Sequence, residues 1–173
     1  LLRDGGRTQE AYELLAGGLA TQPEQSELLY ESALLAEKLG RHEAMEASLR
    51  KLIRLKPEHA HAYNALGYSF AERNQRLEEA EQLVVKALQL SPDDPFIIDS
   101  MGWVLYRKGD NQGALTHLQR AFSIRPDPEI SAHLGEVLWA LGRRDEAKRI
   151  WQEAAKAHPG NEVLAEVIKR FAP

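Results

Sequence analysis

An all-α solenoid of stacked antiparallel helix pairs is the fold this sequence predicts, on three observations. Prolines recur at 23, 57, 92, 126 and 159, separated by 34, 35, 34 and 33 residues. A small or compact apolar residue stands twelve positions before each one (Ala11, Met45, Ala80, Ala114, Ala147), and a glycine precedes four of these by five positions (Gly6, Gly40, Gly109, Gly142). From each compact residue, apolar side chains recur at offsets 0, 3, 4, 7 and 8, which is one face of an α-helix. A supersecondary unit repeated at this period cannot bury its apolar face alone and must stack on its neighbours.

The elements follow in order. The opening "LLRDGGRTQEAYELL" starts inside a helical pattern, so residues 1–25 read as a partial repeat and the chain as a piece of a longer protein. Four repeats follow, 26–59, 60–94, 95–126 and 127–159, and "GNEVLAEVIKRFAP" after Pro159 supplies one more helix over 160–173, a solvating cap with Asn161 at its start. Within a repeat, Gly67, Gly102 and Gly135 on the first helix face Ala80, Ala114 and Ala147 on the second. Removing side-chain bulk on both sides lets two helices approach closely. Gly109 and Gly142 provide the permissive backbone for the turn between them. The late proline ends the second helix because it has no N–H to donate. Asp94-Pro95 and Asp127-Pro128 open the next one, Asp as N-cap and Pro in the first turn. The 60–94 repeat carries one extra residue in its turn, and 127–159 is one residue short at its start. Of the helical apolar slots, only Gly18, Ser48 and His117 are filled otherwise; His117 reads as a partly buried, hydrogen-bonded core residue. No stretch alternates as a strand would.

Composition bounds the function. The chain has 173 residues, 43% hydrophobic and 28% charged, with net charge −4. This is a globular composition, and the acidic balance gives no support to nucleic-acid binding. No run of about 18 apolar residues exists to span a membrane. There is no cysteine, which excludes thiol catalysis, disulfides and Cys-type zinc sites.

The unit resembles the tetratricopeptide repeat, whose signature is W-x2-L-G-x2-Y, then A-x3-F, then P. Here it reads Tyr63-x2-Leu66-Gly67-x2-Phe70, Ala80-x3-Val84, Pro92, and then Ile98-x2-Met101-Gly102-x2-Leu105, Ala114-x3-Leu118, Pro126. The last full unit reads Leu134-Gly135-x2-Leu138, Ala147-x3-Trp151, Pro159, whereas 26–59 is degenerate, with Ala33 and Met45 at the small positions. The resemblance implies a right-handed solenoid whose first helices line a concave face. Positions 2, 5, 9, 12 and 13 of each unit should point into it. These are Glu27, Tyr30, Leu34, Glu37 and Lys38; His61, Asn64, Tyr68, Ala71 and Glu72; and Phe96, Asp99, Trp103, Tyr106 and Arg107. The shortened unit contributes Glu129, Ala132, Glu136 and Trp139.

Aromatic residues number only 12, yet Tyr30, Tyr68, Phe96, Trp103, Tyr106 and Trp139 all fall on this face. An exposed aromatic stripe is a partner surface, since Trp and Tyr dominate binding hot spots; the competing reading is that some fill seams between units. With Glu37, Asn64, Asp99 and Arg107, these residues form the expected partner-binding set. Asn64 and Arg107 echo parts of the Lys/Asn/Arg clamp that holds C-terminal carboxylates in some relatives, but Asp99 stands where such a clamp needs neutral or basic character.

No catalytic, cofactor or metal site is expected. His59 and His61 do not share a helix face, and His133 with Glu136 lacks a third ligand. Ser69, Ser100 and Ser131 have no nucleophile context, and neither Gly5-Gly6 nor Gly17-Gly18 has the lysine of a phosphate loop.

Residues 99–154 go further and resemble the C-terminal repeats of Gram-negative outer-membrane TPR lipoproteins, among them the pseudomonad adaptor of a carboxyl-terminal processing protease. That resemblance implies a periplasm-facing, non-catalytic adaptor that binds a protein or peptide and brings the protease to cell-wall hydrolase substrates. A structural self-assembly module within a longer TPR protein is the alternative.

Overall fold

The computed structural model describes residues 2–173, with side chains from Gly6 onward. Among these residues there are ten helices and no strand. They are α1 (Leu2–Thr21), α2 (Ser26–Lys38), α3 (His42–Leu55), α4 (Ala60–Glu72), α5 (Leu77–Leu90), α6 (Pro95–Arg107), α7 (Asn111–Ile124), α8 (Pro128–Ala140), α9 (Arg144–Ala157) and α10 (Glu162–Phe171).

Local chemistry sets the breaks. Each second helix stops two residues before its proline: α3 before Pro57, α5 before Pro92, α7 before Pro126, α9 before Pro159. Asp94 Oδ1 accepts from the Phe96 and Ile97 N–H groups, Asp127 from Glu129 and Asn161 from Leu164, so three helix starts are capped by the expected side chains. His59 Nδ1 caps α4 in the same way by accepting from Ala62. At the turn between paired helices, Gly40, Gly109 and Gly142 take φ of +71°, +93° and +81°. The residue after each then bonds back to the helix end, as Asp110 N–H does to the Leu105 carbonyl at 2.9 Å. The turn 73–76 is one residue longer than these and has no glycine. Asn74 and Arg76 take the left-handed conformation instead, at φ 53° and 44°. The missing residue of the fourth repeat falls in the loop 125–127, which is one shorter than the loops before α4, α6 and α10.

The small residues are where the helices nest. A Cβ on Gly67 would stand 2.7 Å from Val84 Cγ2 and 2.9 Å from the Ala80 carbonyl oxygen, and one on Gly102 would stand 2.7 Å from Leu118 Cγ. At Gly135 it would overlap the Trp151 indole. Ala80, Ala114, Ala147 and Trp151 are fully buried, and Trp151 Nε1 donates to the Ala132 carbonyl at 3.2 Å. Large side chains such as Phe70, Leu66, Leu118 and Trp151 fill the remaining space, each worth roughly 2–3 kcal/mol on burial.

Stacking then produces curvature. The first helices α2, α4, α6, α8 and α10 each touch the next of their series, while α3, α5, α7 and α9 touch only first helices. The first helices therefore form the inner, compressed layer, and the face they present is the concave one.

Candidate functional site

The inner layer carries two hollows that share Tyr68 and Glu129. The first, of about 190 Å³, is walled by Tyr30 and Leu34 of α2, Asn64, Ala65 and Tyr68 of α4, and Phe96, Asp99 and Ser100 of α6. The second, of about 280 Å³, lies between α4, α6, α8 and α10 and is lined by Glu72, Trp103, Arg107, Glu129, His133, Glu136, Glu166 and Arg170, among others. Together they make a groove running across five first helices, α2, α4, α6, α8 and α10. Its first half is largely apolar and aromatic, and its second half is charged.

A buried polar network forms the floor. His133 Nδ1 lies 2.9 and 3.1 Å from the two Asp99 oxygens, and its Nε2 is 3.3 Å from the Tyr68 hydroxyl. That hydroxyl is also 3.3 Å from Glu129 Oε1. The His133 ring stacks on Trp103 with centroids 4.1 Å apart. Burial alone would lower the His133 pKa, but the adjoining Asp99 carboxylate, with Glu129 and Glu72 behind it, overrides burial and holds it above the ordinary imidazole value. Burial pushes the Tyr68 phenol far up, and Glu72, Glu129 and Asp99 add to this, so it stays protonated. Burial also raises the carboxyls of Glu129 and Glu136. Glu129 is exposed as a whole residue, but its carboxyl head sits inside the groove, where Asp99 is near and the Tyr68 hydroxyl and His133 only partly offset the cost.

The ten expected partner-binding residues do not all reach this groove. Tyr30, Asn64, Tyr68, Phe96, Asp99, Trp103 and Arg107 do. Tyr30 is half-buried, its ring 5.3 Å from that of His59, and Arg125 lies over the Phe96 ring at 5.4 Å. Two of these are corrections to the expectation of exposed side chains: Asp99 and Trp103 are each only 4% exposed. The physical reason is that the next inner helix covers them, since His133 of α8 pairs with one and stacks on the other. Arg107 donates from Nε to the Ala71 carbonyl and from Nη2 to the Glu72 carbonyl, both at 2.9 Å. It thus closes the C-terminus of α4, and it is not poised to hold a ligand carboxylate.

The other three lie elsewhere. Glu37 joins α2 to α4 by accepting from Ser69 Oγ at 3.0 and 2.9 Å from its two oxygens, and it also lies 3.3 Å from His42. Tyr106 packs half-buried against Trp103. Trp139 turns away from the groove into the seam of α8, α9 and α10, stacked on Trp151 with Arg144 and Lys148 over its ring.

Two features of the groove have no counterpart in the sequence-based expectation. The sequence sets His133 beside Glu136 only as an incomplete metal pair; the structure pairs it with Asp99, 34 residues away, and gives Glu136 to Arg170 at 3.0 Å. The α10 helix, expected to act only as a cap, also supplies a groove wall through Val163, Glu166, Val167 and Arg170. His117 is half-buried with Nδ1 3.0 Å from the Gly113 carbonyl of its own helix. Two buried polar atoms of groove-lining residues have no hydrogen-bond partner: Asn64 Oδ1 and Trp103 Nε1.

Comparison with known proteins now places this architecture. Models of the tetratricopeptide repeat match residues 26–59, 43–95 and 105–169. The chain is 44% identical over 135 residues to TPR repeat-containing protein PA4667 of Pseudomonas aeruginosa, covering 78% of this chain and 23% of that protein. It spans less than a quarter of the length of the curated relatives it matches. Among solved structures it is similar to TTC0263, a thermophilic TPR protein in Thermus thermophilus, with TM-score 0.84, 25% identity and coverage of 99% of this chain and 92% of that one. It shares its fold with YrrB, described as a TPR protein with an unusual peptide-binding site, at TM-score 0.64, 22% identity, and 92% and 84% coverage.

Proposed function

Because this chain belongs to the tetratricopeptide-repeat family, we propose that it is a non-catalytic scaffold whose inner-layer groove holds an extended segment of a partner protein. The fold generally serves protein–protein interaction. The observation that carries the groove reading is the pair of unsatisfied buried atoms, the Asn64 Oδ1 acceptor and the Trp103 Nε1–H donor. Native folds rarely leave such atoms unpaired, and an extended backbone supplies one N–H and one C=O per residue to meet them. Tyr30, Leu34 and Phe96 offer apolar area beside them.

At the finer level, the partner is proposed to be a periplasmic carboxyl-terminal processing protease or one of its cell-wall hydrolase substrates. Support comes from the resemblance of residues 99–154 to adaptor lipoproteins. No helix among the described residues is long and apolar enough to cross a membrane, so on this reading any anchoring belongs to other parts of the protein.

A photo-crosslinking residue placed at Leu34 in the groove or at Val85 on α5, which are 40% and 38% exposed, separates the faces. Crosslinks to the purified protease or to a hydrolase substrate are expected from position 34 and not from 85. Crosslinks from 85 alone would move the binding face to the outer helices. Light scattering that shows the free chain as a concentration-dependent oligomer would favour self-assembly instead.

A further inference from the structure

The charged half of the groove holds more negative charge than the fold uses. Glu72, Glu129, Glu136 and Glu166 line it, against the guanidiniums of Arg107 and Arg170. Both guanidiniums are already engaged. Arg107 is spent on the last carbonyls of α4, and Arg170 lies 3.0 Å from Glu136 and 3.9 Å from Glu166. His133 is balanced by Asp99. Four carboxylates against two guanidiniums leave a surplus of two negative charges, and Glu72 and Glu129 have no cation within ion-pair distance among the described residues. Carboxylates held together in a partly desolvated hollow repel one another and disfavour ionisation, so this surplus weakens the free fold and is relieved when a cation enters.

An acidic cluster alone would be unremarkable on a surface, but this one adjoins an unsatisfied donor. Trp103 lines the hollow, is 4% exposed, and its Nε1–H meets no acceptor. A free cation cannot satisfy that donor; a peptide residue bearing both a main-chain carbonyl and a cationic head can. The apolar first hollow lies next door, across Tyr68.

We infer that the partner segment presents a lysine or arginine whose cationic head enters the α4–α8–α10 hollow beside Glu72 and Glu129, while an apolar neighbour rests against Tyr30, Leu34 and Phe96. The inference rests on the groove reading above and sets its specificity. An acidic or C-terminal carboxylate ligand is repelled at this end, since like charges brought together at an interface are penalised.

The test uses linear random peptides displayed on phage, selected on the full chain and then compared on the Leu34→Arg variant, which fills the first hollow. Clones that lose binding on Leu34→Arg are expected to share a Lys or Arg at one fixed position. The synthetic peptide should lose about tenfold in affinity when that residue becomes norleucine, and about as much on the Glu72→Gln/Glu129→Gln double variant. Its affinity should also fall with added salt. The norleucine peptide keeps the test independent of how the protein variant folds. Groove-dependent clones without a basic residue, or an affinity indifferent to norleucine, would overturn the charge inference and leave the groove reading standing. If no clone responds to Leu34→Arg, the groove reading falls and takes the inference with it.

Discussion

Substituting Gly67 by alanine sets two effects of known sign against each other. In a helix interior, glycine is about 1 kcal/mol less favourable than alanine, so on an open face the change stabilises. Gly67 does not lie on an open face. Its new Cβ would stand 2.7 Å from Val84 Cγ2, 2.9 Å from the Ala80 carbonyl oxygen and 3.2 Å from Leu83 Cβ. Val84 can rotate only within a fully buried site, and the Ala80 carbonyl moves only if α5 moves. Overpacking of this kind costs about 1–3 kcal/mol, so the net change is a loss of about 1 kcal/mol. Gly135→Ala, which overlaps the buried Trp151 ring, should lose more. Gly17 is the control: it sits inside α1 with nothing within 4 Å of an added Cβ, so Gly17→Ala should gain about 0.5–1 kcal/mol. Urea unfolding followed by circular dichroism reads the difference, and hydrogen exchange assigns it to individual helices, because a linear stack opens in pieces. If Gly67→Ala and Gly17→Ala stabilise alike, close nesting of α4 on α5 is not what the glycine is for.

Three further outcomes follow from the groove. Because folding raises the His133 pKa, the His133–Asp99 pair contributes fully below the unfolded value of about 6.5 and is lost as pH rises through the higher folded value. The midpoint of thermal unfolding should therefore fall between pH 6 and pH 9, and Asp99→Asn should flatten that slope, at a cost of about 1–3 kcal/mol at pH 6; an unchanged slope would refute the pairing. Glu129, whose carboxyl is raised by burial, opposes folding once ionised, so Glu129→Gln should raise the thermal midpoint at pH 7 and not at pH 4; a drop at pH 7 would contradict this. Trp103→Ala should destabilise by about 3–5 kcal/mol, whereas Tyr30→Ala, half-buried in the groove wall, should leave helix content intact and weaken partner capture. Native-like stability of Trp103→Ala would mean that the indole is a surface residue after all.

The helix pairs could be read directly from the chain because each depends on neighbours within one repeat. Gly102 meets Ala114 and Leu118, Asp94 caps the helix that follows it, and Pro126 stops the helix before it; all of these leave marks at fixed short spacing. What the chain did not reveal lies between repeats. The position rule that exposed Asp99 and Trp103 treats each inner helix as if nothing covered it, and it carries no term for His133 arriving from α8. The same rule puts Trp139 on the groove, but it carries no term for α9 and α10 closing over that end of α8, where the ring packs against Trp151 and Phe171. The role of α10 as a wall depends on Arg170 reaching Glu136, a contact across 34 residues with no local signature. The acid surplus of the second hollow is legible only after three helices, α4, α8 and α10, have brought Glu72, Glu129, Glu136 and Glu166 together.

The central claim is that the inner layer, and not the outer one, takes up a partner segment. Hydrogen exchange of the chain with and without a saturating groove-selected peptide tests it most directly. Slowed exchange is expected in α4, α6 and α8, with α5, α7 and α9 unchanged; protection confined to α5, α7 and α9 would contradict the account.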